Sequence, residues 1–132
     1  MKKTVTLPDT NFILRYLLRD IPEQFAEADL FFEKVRVGKM NCCINEAVLV
    51  ECQYIFEKYY KVSRVDIASS LTGLLQYKGI ANKDREVVLK ALAIYSNTTL
   101  DPVDCLLAAH YEINKNSILT FDKKLKTLCS TT

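Results

Sequence analysis

The sequence predicts an α/β protein, a three-layer α/β/α sandwich with a short-stranded, mainly parallel central sheet. Three observations carry this. Apolar residues recur mostly at helical spacing, in runs that far outnumber the β-prone ones. Each β-prone run is short and separated from the next by helix, so the strands must pair in parallel through crossovers. Two of those runs, Thr4–Leu7 and Ser117–Phe121, lead into an aspartate and then a helical pattern. Ligands of open α/β sheets bind outside the carboxyl ends of strands, so Asp9 and its counterpart Asp122 stand where chemistry is placed.

The elements follow in order. Thr4–Leu7 is the first strand, closed by Pro8, which a sheet tolerates there as the strand's last residue. Phe12, Ile13, Tyr16 and Leu17 mark the first helix, and Asp20-Ile21-Pro22-Glu23 a break and restart. Phe25, Ala28, Phe32 and Val35 form the buried stripe of a second helix that ends near Gly38. Asn41–Ile44 reads as a short buried strand, and Asn45 caps a third helix running to about Tyr60. A fourth helix spans Val65–Tyr77, and Gly79-Ile80-Ala81 fits a short strand. Helices over Lys83–Tyr95 and from Pro102 to about Asn114 precede the last strand, Ser117–Phe121, and a final helical turn, Asp122–Leu128.

A chain of 132 residues fits one domain, 1–132, with a real core. Hydrophobic residues at 49% and charged residues at 26% are ordinary for a soluble globular protein. The net charge of +2 does not announce a nucleic-acid binder, but permits one if the basic groups cluster. Five cysteines without a Cys-x-x-Cys pair, and His110 as the single histidine, argue against zinc. Lys2 and Lys3 lead into an apolar run too short for a signal peptide, and nothing approaches a membrane span. The expected location is cytoplasmic, with the thiols reduced.

The acids carry the functional signal. Asp9 fits two roles, helix N-cap and strand-end ligand, and its own stretch leaves both open. Glu51 has Ala47, Val48, Tyr54 and Ile55 as helical neighbours, which places its carboxylate on or beside an apolar face. Burying an unpaired carboxylate is costly, so Glu51 needs a partner cation or a mouth to water; a structural ion pair is the competing reading. Asp101 before Pro102 makes a good N-cap. Asp104 shares its face with Leu107 and Ala108 and so points toward the sheet. Carboxylates converging at one end of a sheet cannot all stay ionised without positive charge between them, and hard divalent cations are the usual answer.

In this order and on these elements, the acids resemble those of the PIN-domain family, especially the VapC-type toxins of toxin–antitoxin pairs, over essentially the whole chain. Asp9-Thr10-Asn11 resembles the family's opening motif and Glu51 its helix glutamate. Asp104-x-Leu-Leu-Ala-Ala resembles its third acid, and Thr120-Phe121-Asp122-Lys123 its closing acid. The resemblance implies a Mg²⁺- or Mn²⁺-dependent endoribonuclease with Asp9, Glu51, Asp104 and Asp122 as the acidic set. Asp101 would be an auxiliary ligand, and Asn11 and Thr120 polar supports. It also implies a homodimer neutralised by a cognate antitoxin that binds DNA. Arg15, Arg19, Lys123 and Lys124 are candidates for holding RNA phosphates, against the plainer reading of solvated surface charge. Phe25, Phe31, Phe32, Tyr54, Phe56, Tyr59 and Tyr60 exceed what two helices usually bury, which suits a dimer interface or antitoxin groove.

Two rivals remain. A haloacid-dehalogenase-like phosphatase also has a strand-end Asp, but an acid should stand two residues on, where this chain has Asn11. A non-catalytic interaction domain of the same fold would have no physical reason to keep the acids together.

Overall fold

The computed structural model describes residues 4–129. Strands β1 (Val5–Thr6) and β2 (Asn41–Cys42) pair in parallel, Val5 opposite Asn41 and Thr6 opposite Cys42. On the other side of β2, Ile80 forms a parallel bridge to Cys42. There the N–H of Ala81 donates to the Cys42 carbonyl at 2.7 Å and the N–H of Cys42 to Gly79 at 2.8 Å. The sheet is thus a two-stranded ribbon with one added bridge, smaller than the sequence suggests.

The strand expected at Ser117–Phe121 does not form. Residues 115–122 have no regular structure, and Leu119 and Phe121 are 97% and 99% exposed. The physical reason lies in the strand it would have to join. β1 is two residues long and is soon followed by Pro8, which has no N–H, so its outer edge offers a partner few ladder hydrogen bonds.

Helices make up the rest: α1 (Thr10–Leu18), α2 (Pro22–Arg36), α3 (Glu46–Tyr54), α4 (Arg64–Leu75), α5 (Arg85–Asn97), α6 (Pro102–Asn114) and α7 (Lys123–Leu128). Their starts follow local chemistry. Pro22 and Pro102 sit at first helical positions, where the missing N–H costs nothing. Asn45 accepts from the N–H of Ala47 and Ser63 from that of Asp66. The helix expected to run to about Tyr60 keeps its length but changes character, because α3 passes into a π-helical turn over Ile55–Tyr59. Such wide turns cluster at functional sites.

A single cluster of buried side chains, among them Ile13, Phe32, Leu49, Leu71, Leu92 and Tyr95, joins the helices to the ribbon. The α1–α2 contact is aromatic: the Tyr16 and Phe32 rings lie 4.5 Å apart and Phe31 and Phe32 5.1 Å. The aromatic surplus read from the sequence is therefore largely internal. Phe32 and Phe56 are buried, Phe25 and Phe31 pack on the core, and Tyr59, at 76% exposure, is the one left mostly in solvent. Gly79 is fixed by close approach, since a Cβ there would lie 2.0 Å from the Met40 carbonyl oxygen. No helix among the described residues is long and apolar enough to cross a membrane.

Candidate active site

The acids singled out in the sequence fall into two groups by the partners they meet. In the first, Asp9 ends the β1 segment and caps α1, its Oδ1 accepting from the N–H of Phe12 at 2.9 Å. The buried Thr10 hydroxyl donates to the Glu51 carboxylate, tying α1 to α3. Behind them lies the buried thiol of Cys52, pushed up to about 12 by burial and then by the negative charges of Glu51 and Asp9. Glu51 is exposed rather than covered by the apolar face, which removes the burial problem its neighbours suggested.

The second group comprises Asp101, Asp104 and Asp122. Asp101 stands at the N-cap position of α6 and Asp104 in its first turn. Asp122 caps α7, its Oδ1 accepting from the N–H of Leu125 at 2.9 Å. Partial burial raises the Asp104 carboxyl above its ordinary value, and the charges of Asp101 and Asp122 raise it further. Tyr54, one turn after Glu51, feels the same acids: burial, then Asp101 and Asp104, push its hydroxyl up. The α3 helix therefore carries Glu51 of the first group and, one turn on, a hydroxyl that feels the second.

The supporting residues divide. Thr120 accepts from the N–H of Asp122 at 3.0 Å and shapes the turn before α7. Asn11 is exposed on the first turn of α1, beside a shallow recess that Asp9 and Arg15 also line. Arg15 is committed internally, 2.8 Å from Asp20 and 3.2 Å from the Tyr60 hydroxyl. Arg19 lies over the Phe25 ring at 5.1 Å, and Lys124 donates to Thr99 at 2.7 Å. Lys123 is exposed at the start of α7.

Sequence reasoning missed two contributors. Thr10 had no role of its own in the sequence reading, and its burial in the first turn with a hydrogen bond to Glu51 gives it one. Asn82 is buried where the chain leaves the Ile80 bridge, accepting from the Ile44 N–H at 2.9 Å and donating to its carbonyl at 2.8 Å. It also donates to Asp84 at 3.0 Å. Asp84 in turn meets Glu46, the first residue of α3, whose carboxyl is raised by that contact and by burial, and lowered by His110 at 3.5 Å.

None of Asp9, Glu51, Asp101, Asp104 or Asp122 forms an ion pair among the described residues. Their donors are all hard carboxylate oxygens, and a cap uses only one of the two oxygens of Asp9 and of Asp122. No group of three or more acidic, His or Cys side chains among the described residues is placed so that it could hold a metal ion. Mg²⁺ does not require one: it binds through one or two carboxylates and keeps several waters. The donor set therefore suits such an ion and is wrong for zinc.

A family model, the PIN domain, matches residues 6–130. Comparison with curated proteins and with solved structures gives no significant match. With the match running over nearly its whole length, the chain belongs to the PIN domain family, whose members are generally nucleases that use divalent metal ions.

Proposed function

We propose that this protein is a Mg²⁺- or Mn²⁺-dependent endoribonuclease. The observation that carries the reading is that Asp104 feels the charges of both Asp101 and Asp122, while none of the three has an ion-pair partner among the described residues. Asp9, Glu51, Asp101, Asp104 and Asp122 would hold the ion, which when bound supplies positive charge to the scissile phosphate and the developing oxyanion. Thr10 orients Glu51 by its hydroxyl, and the caps on Asp9 and Asp122 fix one oxygen of each. Asn11 and Thr120 are polar supports. Lys123 and Lys124, with Arg19, approach the RNA phosphates, whereas the internal partners of Arg15 make it the weakest candidate.

Within this reading the protein acts in the cytoplasm, as one domain, as the VapC-type toxin of a type II pair. The support is the motif resemblance at Asp9-Thr10-Asn11 and Thr120-Phe121-Asp122. A homodimer and a cognate antitoxin follow from the same resemblance. An open groove of about 560 Å³ beside Asp9, with exposed Leu7 and Leu30 on its rim, is compatible with a partner. A small DNA-binding protein encoded next to this chain, and co-purifying with it, would support the toxin assignment.

The direct test is cleavage. Purified protein, stripped of partners, should cut RNA with Mg²⁺ or Mn²⁺ and stop in EDTA; cleavage undiminished by chelator would overturn the reading. Binding should also show in thermal melts. Mg²⁺ at a hundredfold excess over its dissociation constant stabilises a native state by about 2.7 kcal/mol. Asp104→Asn should lose most of that gain while leaving the metal-free protein at least as stable, because it relieves repulsion from Asp101 and Asp122.

A further inference from the structure

The two acid groups sit on different elements, yet a working site needs them held in register. One side chain outside the acid set links the continuation of α3 to the residue before Asp101. Arg64, the first residue of α4, uses three guanidinium nitrogens at once. Its Nε donates to the Tyr95 carbonyl at 2.9 Å, Nη2 donates to the Leu100 carbonyl, and Nη1 lies 3.4 Å from Glu57 Oε1. The guanidinium also stacks on the Tyr95 ring, 3.8 Å from its centroid, and the side chain is 21% exposed.

Each acceptor belongs to a different part of the problem. Tyr95 lies near the end of α5, and Leu100 is the last residue before Asp101. Arg64 therefore closes the chord of the loop between them. That loop is otherwise held by Thr98, which donates to Ile94 and accepts from the N–H of Leu100, and by Lys124 on Thr99. Glu57 lies in the π-helical turn that continues α3, six residues beyond Glu51, and it also accepts from the Tyr95 hydroxyl at 2.5 Å. One network thus runs from the helix of Glu51, through Glu57 and Arg64, to the carbonyl next to Asp101.

We propose that Arg64 is a positioning residue, and that with Glu57 it braces the Asp101–Asp104 end of α6 against the helix carrying Glu51. The inference rests on these acids being the metal-binding set proposed above. The demand is for a planar fork. Three acceptors in fixed directions and a stacked ring suit a guanidinium, and an ammonium satisfies at most part of that arrangement. The π-helical turn acquires a purpose, because a wide turn re-aims the residues after it and brings Glu57 onto the α4–α5 side.

The test measures Mn²⁺ affinity, with amide hydrogen exchange over residues 98–104, in wild type, Arg64→Lys, Glu57→Gln and the exposed control Arg36→Met. All measurements are made well below the EDTA melting temperature of each protein, so that only folded protein is read. Loss of an outer-shell support typically weakens metal binding by roughly 10- to 100-fold. Arg64→Lys and Glu57→Gln should each fall at or near that range and speed exchange at residues 98–104, while Arg36→Met matches wild type. A double variant, Arg64→Lys with Asp101→Asn, should lose less than the product of the single losses, because both act on one end of α6. Wild type that binds Mn²⁺ alongside Arg64→Lys and Glu57→Gln binding it equally well, even with lower melting temperatures, would overturn the brace and leave the metal site standing. Wild type that binds no Mn²⁺ would overturn the metal site and the brace with it.

Discussion

Asp9 and Asp122 each cap a helix through Oδ1, donated to by the N–H of Phe12 and of Leu125, at 2.9 Å in both. What comes before them differs. The chain reaching Asp9 has just paired with β2, and Pro8 and Thr10 on either side are buried. The chain reaching Asp122 is irregular, with Leu119 and Phe121 in solvent. Capping is local: a carboxylate needs only the backbone three residues on. Strand pairing is non-local and needs a neighbour with unused donors and acceptors. The same sequence pattern, β-prone run then aspartate then helix, therefore delivers the cap twice and the strand once.

The largest expected effect breaks the paired end. Gly79→Ala pushes a Cβ to 2.0 Å from the Met40 carbonyl oxygen, beside the bridge to β2. It should destabilise by on the order of 3 kcal/mol in urea melts. Next comes the chemistry. Asp9→Asn should reduce RNA cleavage by about 10²-fold or more, as losing a single electrostatic stabiliser does. Asp122→Asn should cost less, since the segment that carries it is not fixed by a ladder. Equal losses would mean that residues 117–121 dock when the site is working.

A smaller effect appears with pH at the other end of β2, where Glu46 meets Asp84. Contact with Asp84 and burial raise the Glu46 carboxyl above its ordinary value of 4.5. The folded protein therefore holds that proton more tightly than the unfolded chain. The associated stability is present below the unfolded value and is lost as pH rises through the raised folded one. Glu46→Gln should leave stability nearly unchanged at pH 4 and raise it at neutral pH, with denaturant midpoints at the two pH values as the readout. The smallest effect is Phe121→Ser. At an exposed position outside any contact it should change stability by no more than about 0.5 kcal/mol. A loss well above about 1 kcal/mol would show that Phe121 is covered in solution.

What the sequence made legible follows the same division. Asn45, Pro22 and Pro102 announce helix starts because capping and first-position chemistry act within four residues. The apolar stripes of α2 and α5 announce their buried faces for a similar reason. Asp9, Glu51, Asp104 and Asp122 stood out as acids in unexpected places. Which of them feel one another depends on helix packing, which no spacing reveals. Glu51 read as a half-buried charge because its neighbours are apolar, and only the placement of Thr10 shows how it reaches solvent with a hydroxyl partner. The bonds of Arg64 were illegible, because both of its backbone acceptors lie more than 30 residues away.

The buried thiols behind the acids give the molecule a clock. Cys52 follows Glu51 and Cys105 follows Asp104, both side chains fully buried and pushed up by burial, Cys52 to about 12 and Cys105 to about 11. Alkylation needs a thiolate that can be reached, so neither reacts while its surroundings stay packed. Cys43 and Cys129, only partly buried, react first and calibrate the reagent. The rates at which Cys52 and Cys105 are then modified report how often the packing behind Glu51 and behind Asp104 opens, residue by residue, without any substrate.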